Sequence, residues 1–416
     1  MKKDFRKIQL TILVMVSSIL MTIAQTSDAV GELTSVDYVR LSALKACYLE
    51  GKSKVVNRAV NKLLKNANTA LRVGPFSVTN KTTTPLSGTK NDYLSLGPYW
   101  WPDPDKPDGL PWIRRDGEIN PLTRGENVDE PRKNQFFRNT GILGMAYYFS
   151  EEQKYAEKAN QLLRTWFVDP DKRMNPNLNF AQGIPGKNHG RGIGIIEFSG
   201  ISNVLTTVEI LHMMGALEPE LKKEIDQWMV EYTNWLQTSE YGIFERDTKN
   251  NHATHYDKQL VSILLYLHRE EEAREILETA KKRRIASQIA EDGKQPHELA
   301  RTKAFSYSVM NLKAFTKMAW YGDRLGVDLW NYQPNGAGGL KDAYHFLYPY
   351  AFNDKEWDYE QISSLAKTKT EVRNLFLMAG GWFDVENYCE TDNIKMNKLS
   401  LDQLLYICQN HIDCLN

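Results

Sequence analysis

The sequence predicts an all-α protein, an incomplete (α/α) toroid of helix hairpins with long aromatic loops rimming a cleft. Three observations predict it. Apolar residues recur at helical period along most of the chain, alternating strand runs are scarce, and two Pro- and Gly-rich segments interrupt the helical rhythm.

The chain opens with an expected export signal over residues 1–24. Lys2, Lys3, Arg6 and Lys7 form a basic start, an uncharged run from Ile8 to Ile23 follows, and Thr22-Ile23-Ala24 fits a small-residue cleavage site. The apolar run is short for a bilayer span and no second long one follows, so no membrane anchor is expected after cleavage. Residues 25–416 carry no Gly/Ser-rich linker and read as one domain, long enough for a large ring of helices. The protein is expected outside the cytoplasm, periplasmic or secreted.

Helices are predicted near 36–66, 134–149, 151–167, 201–211, 219–238, 271–289, 303–325, 366–379 and 398–411, with a further apolar stripe through Leu260, Ile263, Leu264 and Leu267. Ser150-Glu151-Glu152-Gln153 reads as a capping box opening the stripe of Tyr155, Ala159, Leu162, Leu163 and Trp166. Residues 73–131 and 169–192 are predicted loops. The first holds Pro85, Pro98, Pro102, Pro104, Pro107, Pro111, Pro121 and Pro131, and its rings (Tyr93, Tyr99, Trp100, Trp101, Trp112) argue for order.

Lys plus Arg equals Asp plus Glu at 52 each, which removes the cationic face that a nucleic-acid binder needs. A local basic cleft could still hold an acidic polymer, because clefts focus field whatever the net charge. Ten Trp, twenty Tyr and fifteen Phe suit either a sugar-stacking cleft or a large aromatic core. Of the cysteines Cys47, Cys389, Cys408 and Cys414, the C-terminal three could supply one disulfide. Neither a zinc spacing, a cofactor motif nor a calcium-loop pattern is visible, so a site without metal or cofactor is expected.

Three constellations could carry chemistry. Asn250-Asn251-His252-Ala253-Thr254-His255-Tyr256 opens the Leu260 helix, where unpaired backbone amides favour an anion; the plainer reading is an Asn cap and a partly buried histidine. His297-Glu298-Leu299-Ala300-Arg301 runs on through Thr302 to Tyr307 and Ser308. Six residues are about 600° of helix, so Arg301 and Tyr307 meet one substrate only through an irregular turn or the reach of arginine. The third is Asn91-Asp92-Tyr93-Leu94-Ser95-Leu96-Gly97-Pro98-Tyr99-Trp100-Trp101-Pro102-Asp103-Pro104, either a stacking platform or a loop pinned by its rings.

In that order these motifs resemble the alginate-lyase superfamily of polysaccharide lyases, over about residues 90 to 330. The resemblance implies an α/α toroid, an acidic polysaccharide as substrate, and an active site of Asn251, His252, Arg301 and Tyr307. Where relatives place Tyr seven residues after Arg the interval here is six, and Ala-Thr-His-Tyr follows the Asn-His pair; the pattern is nearer the single-domain branch acting on alginate or glucuronan. β-Elimination would use Asn251, His252 and Arg301 to neutralise the uronate carboxylate, with Tyr307 as base and then acid, its phenolate favoured by Arg301. Tyr99, Trp100, Trp101, His189, Arg191, Glu245, His255, Tyr256 and His297 are candidates for substrate contact. Two other readings stand beside this one: a glycoside hydrolase using carboxylates among Asp92, Glu197, Glu245 and Asp257, and an exported glycan-binding protein.

Overall fold

The computed structural model describes residues 33–353, 355–380, 383, 399–406 and 414. The expected signal segment, Cys389 and Cys408 lie outside them. In chain order come α1 (Tyr38–Leu49), α2 (Lys54–Ala70), β1 (Leu94–Leu96), β2 (Trp100–Trp101), β3 (Ile113–Arg114), α3 (Glu130–Ser150), α4 (Gln153–Phe167) and β4 (Phe180–Gly183). A 3-10 segment, Gly192–Phe198, leads into α5 (Ser202–Met213), α6 (Pro219–Thr238), α7 (Glu240–Arg246), α8 (Asn251–Tyr266) and α9 (Glu270–Ala280). A π-turn at Lys281–Ile285 precedes α10 (Ala286–Gln288), α11 (Pro296–Leu299), α12 (Ala304–Leu325), α13 (Leu340–Phe352), α14 (Leu365–Ala379) and α15 (Leu401–Leu404).

The helices form an all-α toroid. Around its inner wall α2 packs on α3, α3 on α5, α5 on α8, α8 on α12 and α12 on α14, and α15 bridges α14 back to α2. Position in the ring explains the sequence of each helix. The outer helix α4 buries one stripe, Tyr155, Ala159, Leu162, Leu163 and Trp166, and leaves its other face charged. The inner helix α8 is enclosed by neighbours, and Leu260, Val261, Ile263, Leu264 and Leu265 are buried on successive faces. A disulfide from Cys47 in α1 to Cys414 ties the two ends of the described chain together. Of the C-terminal three, Cys414 is thus spent on an N-terminal partner, because ring closure brings α1 beside it; a pair between the other two would lie outside the described residues.

The predicted 36–66 helix is two, broken at Glu50–Ser53 where Gly51 takes φ +68°. The capping box at Ser150 is absent. Ser150 is the last residue of α3, its hydroxyl donates to the Ala146 carbonyl, and Glu151 turns the chain in the left-handed region. Helix 271–289 loosens into the π-turn, which aims Arg284 inward onto Asp257 at 2.7 Å. Helices α7 and α13 were not predicted; α13 carries Pro349, which reads as a breaker in sequence.

The two long loops are ordered by each other. Leu94–Leu96 pairs in parallel with Phe180–Gly183, and Trp100–Trp101 pairs antiparallel with Ile113–Arg114. Underneath, Tyr93 and Ser95 both donate to the half-buried Glu197 carboxylate, at 2.7 and 2.8 Å. A fully buried Lys81–Asp129 pair at 2.8 Å anchors the start of the first loop to α3. The loop is thus pinned by Tyr93 while the residues after it are free to face the ring's mouth.

Candidate active site

The cleft at that mouth has a volume of about 530 Å³. Three segments meet there: the first turn of α8, the connection from α11 into α12, and the paired loops.

Asn250 caps α8, its side chain accepting the His252 amide. The next two side chains are each backed by a buried carboxylate. His252 Nδ1 bonds Glu245 Oε1 at 2.7 Å, and Glu245 is wholly buried on α7. Helix α7 packs tightly on the end of α6 at Gly242, where a Cβ would lie 1.9 Å from the Leu236 carbonyl oxygen. Asn251, 1% exposed, gives its backbone N–H to Glu298 Oε1 at 2.7 Å and its side-chain nitrogen to Glu298 Oε2 at 2.6 Å. Burial pushes the Glu298 carboxyl above the usual range, against the pull of those two bonds.

Arg301 and Tyr307 do meet, by way of an irregular turn. The helix does not start as early as 297. Helix α11 ends at Leu299, Thr302–Lys303 turns and bridges to Gln361–Ile362, and α12 begins at Ala304. Arg301 therefore folds back, its guanidinium 4.3 Å from the Tyr307 ring centroid and its Nη2 3.2 Å from the hydroxyl. The Tyr307 hydroxyl in turn donates to Tyr99 at 2.6 Å. Asp116 takes the other side of Arg301 in a two-bond fork, at 3.0 and 2.7 Å. Partial burial favours the neutral acid at Asp116, but the Arg301 bonds and charge outweigh it and hold the carboxyl below the ordinary range. Arg301 does favour the Tyr307 phenolate, as expected, but it is outweighed. Burial comes first and, with Tyr99 and Asp116, lifts the phenol well above its ordinary value despite Arg301.

On the loop wall, Gln182 lines the cleft with φ +50°, a conformation side-chain-bearing residues rarely adopt and often a mark of function. Its carbonyl and its side-chain oxygen hold Arg191 at 2.8 and 3.2 Å. Burial and then nearby Arg114 lower the Arg191 guanidinium to about 10. Trp100 lies against both Arg191 and Lys187, the latter nitrogen 4.4 Å from its ring centroid.

Of the sequence candidates, Tyr99, Trp100, Arg191, Asn251, His252, His297, Arg301 and Tyr307 line the cleft. Others do not. Tyr256 is packed in the core with its hydroxyl on the Leu236 carbonyl, and His255 is buried one turn behind His252, so both are corrected as substrate contacts. Trp101 turns away to Arg115 and Glu118, His189 is exposed outside the lining, and Glu245 stands behind His252. Gln182, Arg114, Lys249, Asp116 and Glu298 were missed. Glu298 lies inside a recognised motif and Lys249 adjoins one, whereas Gln182 and Asp116 have no local signal.

The lining includes Arg114, Arg191, Lys249 and Arg301 and not one carboxylate. The acids a hydrolase would need are engaged elsewhere: Asp257 with Arg284, Glu197 with Tyr93 and Ser95, Asp92 with Asn175, Glu245 with His252. Among the described residues no group of three or more His, Cys, Asp or Glu side chains is placed to hold a metal ion.

The alginate lyase family model matches residues 77–357. A crystal structure of an alginate lyase from Bacteroides ovatus is similar at 35% identity and TM-score 0.86, covering 91% of this chain and 99% of that one. Alginate lyase A1-III from Sphingomonas species A1 is similar at 16% identity and TM-score 0.50, over 78% and 80% of the two chains. A variant of that enzyme complexed with tetrasaccharide gives 16% identity, TM-score 0.51 and coverage of 77% and 87%. No curated protein matches the chain.

Proposed function

This chain belongs to the alginate lyase family, and from that premise we propose that it cleaves a uronic-acid polymer, polymannuronate or glucuronan before polyguluronate, by metal-independent β-elimination. The observation that carries the reading is the Arg301–Tyr307–Tyr99 cluster opening on a cleft rich in cations and free of carboxylates.

The proton at C5 of a uronate is weakly acidic because the neighbouring carboxylate is already negative. Arg301, Asn251, His252 and Gln182 can donate to that carboxylate and to the enolate-like charge that grows on it. His252, its Nδ1 held by Glu245, turns its other ring nitrogen to the cleft. Ionised Tyr307 removes the C5 proton, the C–H electrons form the C4=C5 double bond, the C4–O bond breaks, and the departing oxygen takes the proton back from Tyr307. One residue serves both steps because D-mannuronate and D-glucuronate carry the C5 proton and O4 on the same side. Ionised Tyr307 would keep donors in Arg301 and the Tyr99 hydroxyl, which offsets part of its burial. L-Guluronate has the opposite C5 configuration and needs a base on the other face, for which neutral His252 is the nearest candidate. Trp100 would stack a sugar ring. We also propose export of a single-domain protein after loss of residues 1–24; a Cys47–Cys414 disulfide suits an oxidising compartment.

The test is ultraviolet absorbance during incubation with polymannuronate, polyguluronate, glucuronan and a pectic control. A rise names the uronic acid. New reducing ends without absorbance on any polymer would replace elimination by hydrolysis. Tyr307→Phe should abolish turnover while the substrate still binds; substantial residual rate removes Tyr307 from its dual role.

A further inference from the structure

Two carboxylates stand behind the Asn-His pair, and they leave their partners in different states. Glu245 accepts from His252 and leaves the other ring nitrogen for the cleft. Glu298 accepts twice from Asn251, at the backbone nitrogen and at Nδ2. Asn251 Oδ1 is then buried with no hydrogen-bond partner, on a residue that lines the cleft. An orphaned buried acceptor is costly and calls for an explanation. It is also the wrong atom to present to a carboxylate, since two oxygens would face each other.

The two ends of an asparagine amide have nearly the same shape, so a half-turn about the last side-chain bond exchanges donor and acceptor without moving the residue. After that exchange Oδ1 would lie where Nδ2 now lies, 2.6 Å from Glu298 Oε2. Two acceptors tolerate that separation only with a proton between them. We propose that Glu298 is a positioning residue which, protonated on Oε2 as a uronate carboxylate enters, donates to Asn251 Oδ1 and turns the Asn251 nitrogen toward the substrate. Glu298 Oε1 goes on accepting the Asn251 backbone N–H, so the carboxyl stays in place. The proton comes from water and returns when product leaves, and nothing else is consumed. This rests on the β-elimination reading.

The surroundings favour the switch. Glu298 is 1% exposed and its carboxyl is raised by burial. The charged groups that oppose this are His252 from α8 and Arg301 from its own connection. Each already faces an anion, His252 with Glu245 and Arg301 with Asp116, so neither is wholly available to keep Glu298 ionised. An incoming carboxylate adds a further negative charge and shifts the balance toward the protonated form.

The experiment measures binding rather than turnover. In a Tyr307→Phe background, the affinity for an oligosaccharide of whichever uronate the wild type cleaves is followed by calorimetry between about pH 5.5 and pH 9. Past the titration of Glu298 the affinity should fall by about tenfold per pH unit. Glu298→Gln should remove that fall and keep the low-pH affinity within about threefold, because the glutamine NH₂ donates permanently to Oδ1 while its oxygen accepts the backbone N–H. Asn251→Ala, with no amide to turn, should lose the step as well. Glu298→Ala, checked for folding by circular dichroism, should bind weakly at every pH. A fall as steep in Glu298→Gln as in the parent, or a Glu298→Gln variant as weak as Glu298→Ala, overturns the proposal while leaving the elimination reading intact. A wild type that releases no unsaturated product from any polyuronate overturns both.

Discussion

Asp116→Asn should make this enzyme work at lower pH. Asp116 Oδ1 lies 2.7 Å from Arg301 Nη2, which lies 3.2 Å from the Tyr307 hydroxyl, so carboxylate and phenol are at most about 6 Å apart. At an effective dielectric near 20, a unit charge at that distance acts on an ionised Tyr307 with roughly 3 kcal/mol, or about two pH units. Asp116 is 21% exposed at its side chain, and solvent screening brings this to about one unit. The sign is fixed: an anion beside the phenol disfavours phenolate, so its removal favours phenolate and the rising limb of activity moves down in pH. Below that limb kcat/KM should increase by about tenfold. Asparagine can still accept from Arg301 and Thr302, so the loop should stay joined to the connection before α12, which a thermal melt would verify. The assay is the initial rate of absorbance increase against pH. A limb that stays put or moves upward would refute the electrostatic role of Asp116 and the reading of Tyr307 as a base that must ionise.

Glu245→Gln should lower kcat/KM on the order of ten- to a hundredfold at unchanged folding, since an orienting bond to His252 is lost and not a reacting group; wild-type rates would make Glu245 structural only. Cys47→Ser removes a link between residues 367 apart and should cost roughly 2–5 kcal/mol of stability, read from a urea midpoint, with specific activity at low temperature retained. Excess chelator should leave turnover unchanged, and complete loss restored by calcium would end the metal-free mechanism. Glu209, half-buried and pushed to about 7 by desolvation ahead of its bonds from Thr34, is protonated when folded but ionised when unfolded between its ordinary pKa and about 7. It therefore lowers stability as pH rises through that window, and Glu209→Gln should raise the melting temperature at pH 8 but not at pH 4.

How far the sequence reaches is clearest at Arg301 and Tyr307. Their six-residue interval forced a choice between separate faces and an irregular turn, and the bridged Thr302–Lys303 step is that turn. It arises by pairing with Glu360–Ile362, a partner that no local pattern announces. The helical stripes of α4 and α6 were legible because burial on one face writes a period into the residues. Helix α13 was hidden by Pro349, and the Ser150 box was a plausible signal overridden by the continuation of α3. At the site, side chains on helix starts could be read from their motifs. Asp116 and Gln182 could not, because each reaches the cleft from a long loop whose path is set by strand pairing across the whole molecule.

The cationic lining of the cleft has a consequence for turnover as well as for binding. A long acidic polysaccharide travels with condensed counterions, and Arg114, Arg191 and Lys249 release some of them when the polymer settles against the wall. That release is a mixing entropy, so the hold on the polymer weakens with added salt. It also weakens as the chain shortens, because a stub with few charges has few ions to give back. Each cut thus reduces the grip on its own product, and the wall discriminates between fresh polymer and spent fragment by charge density alone.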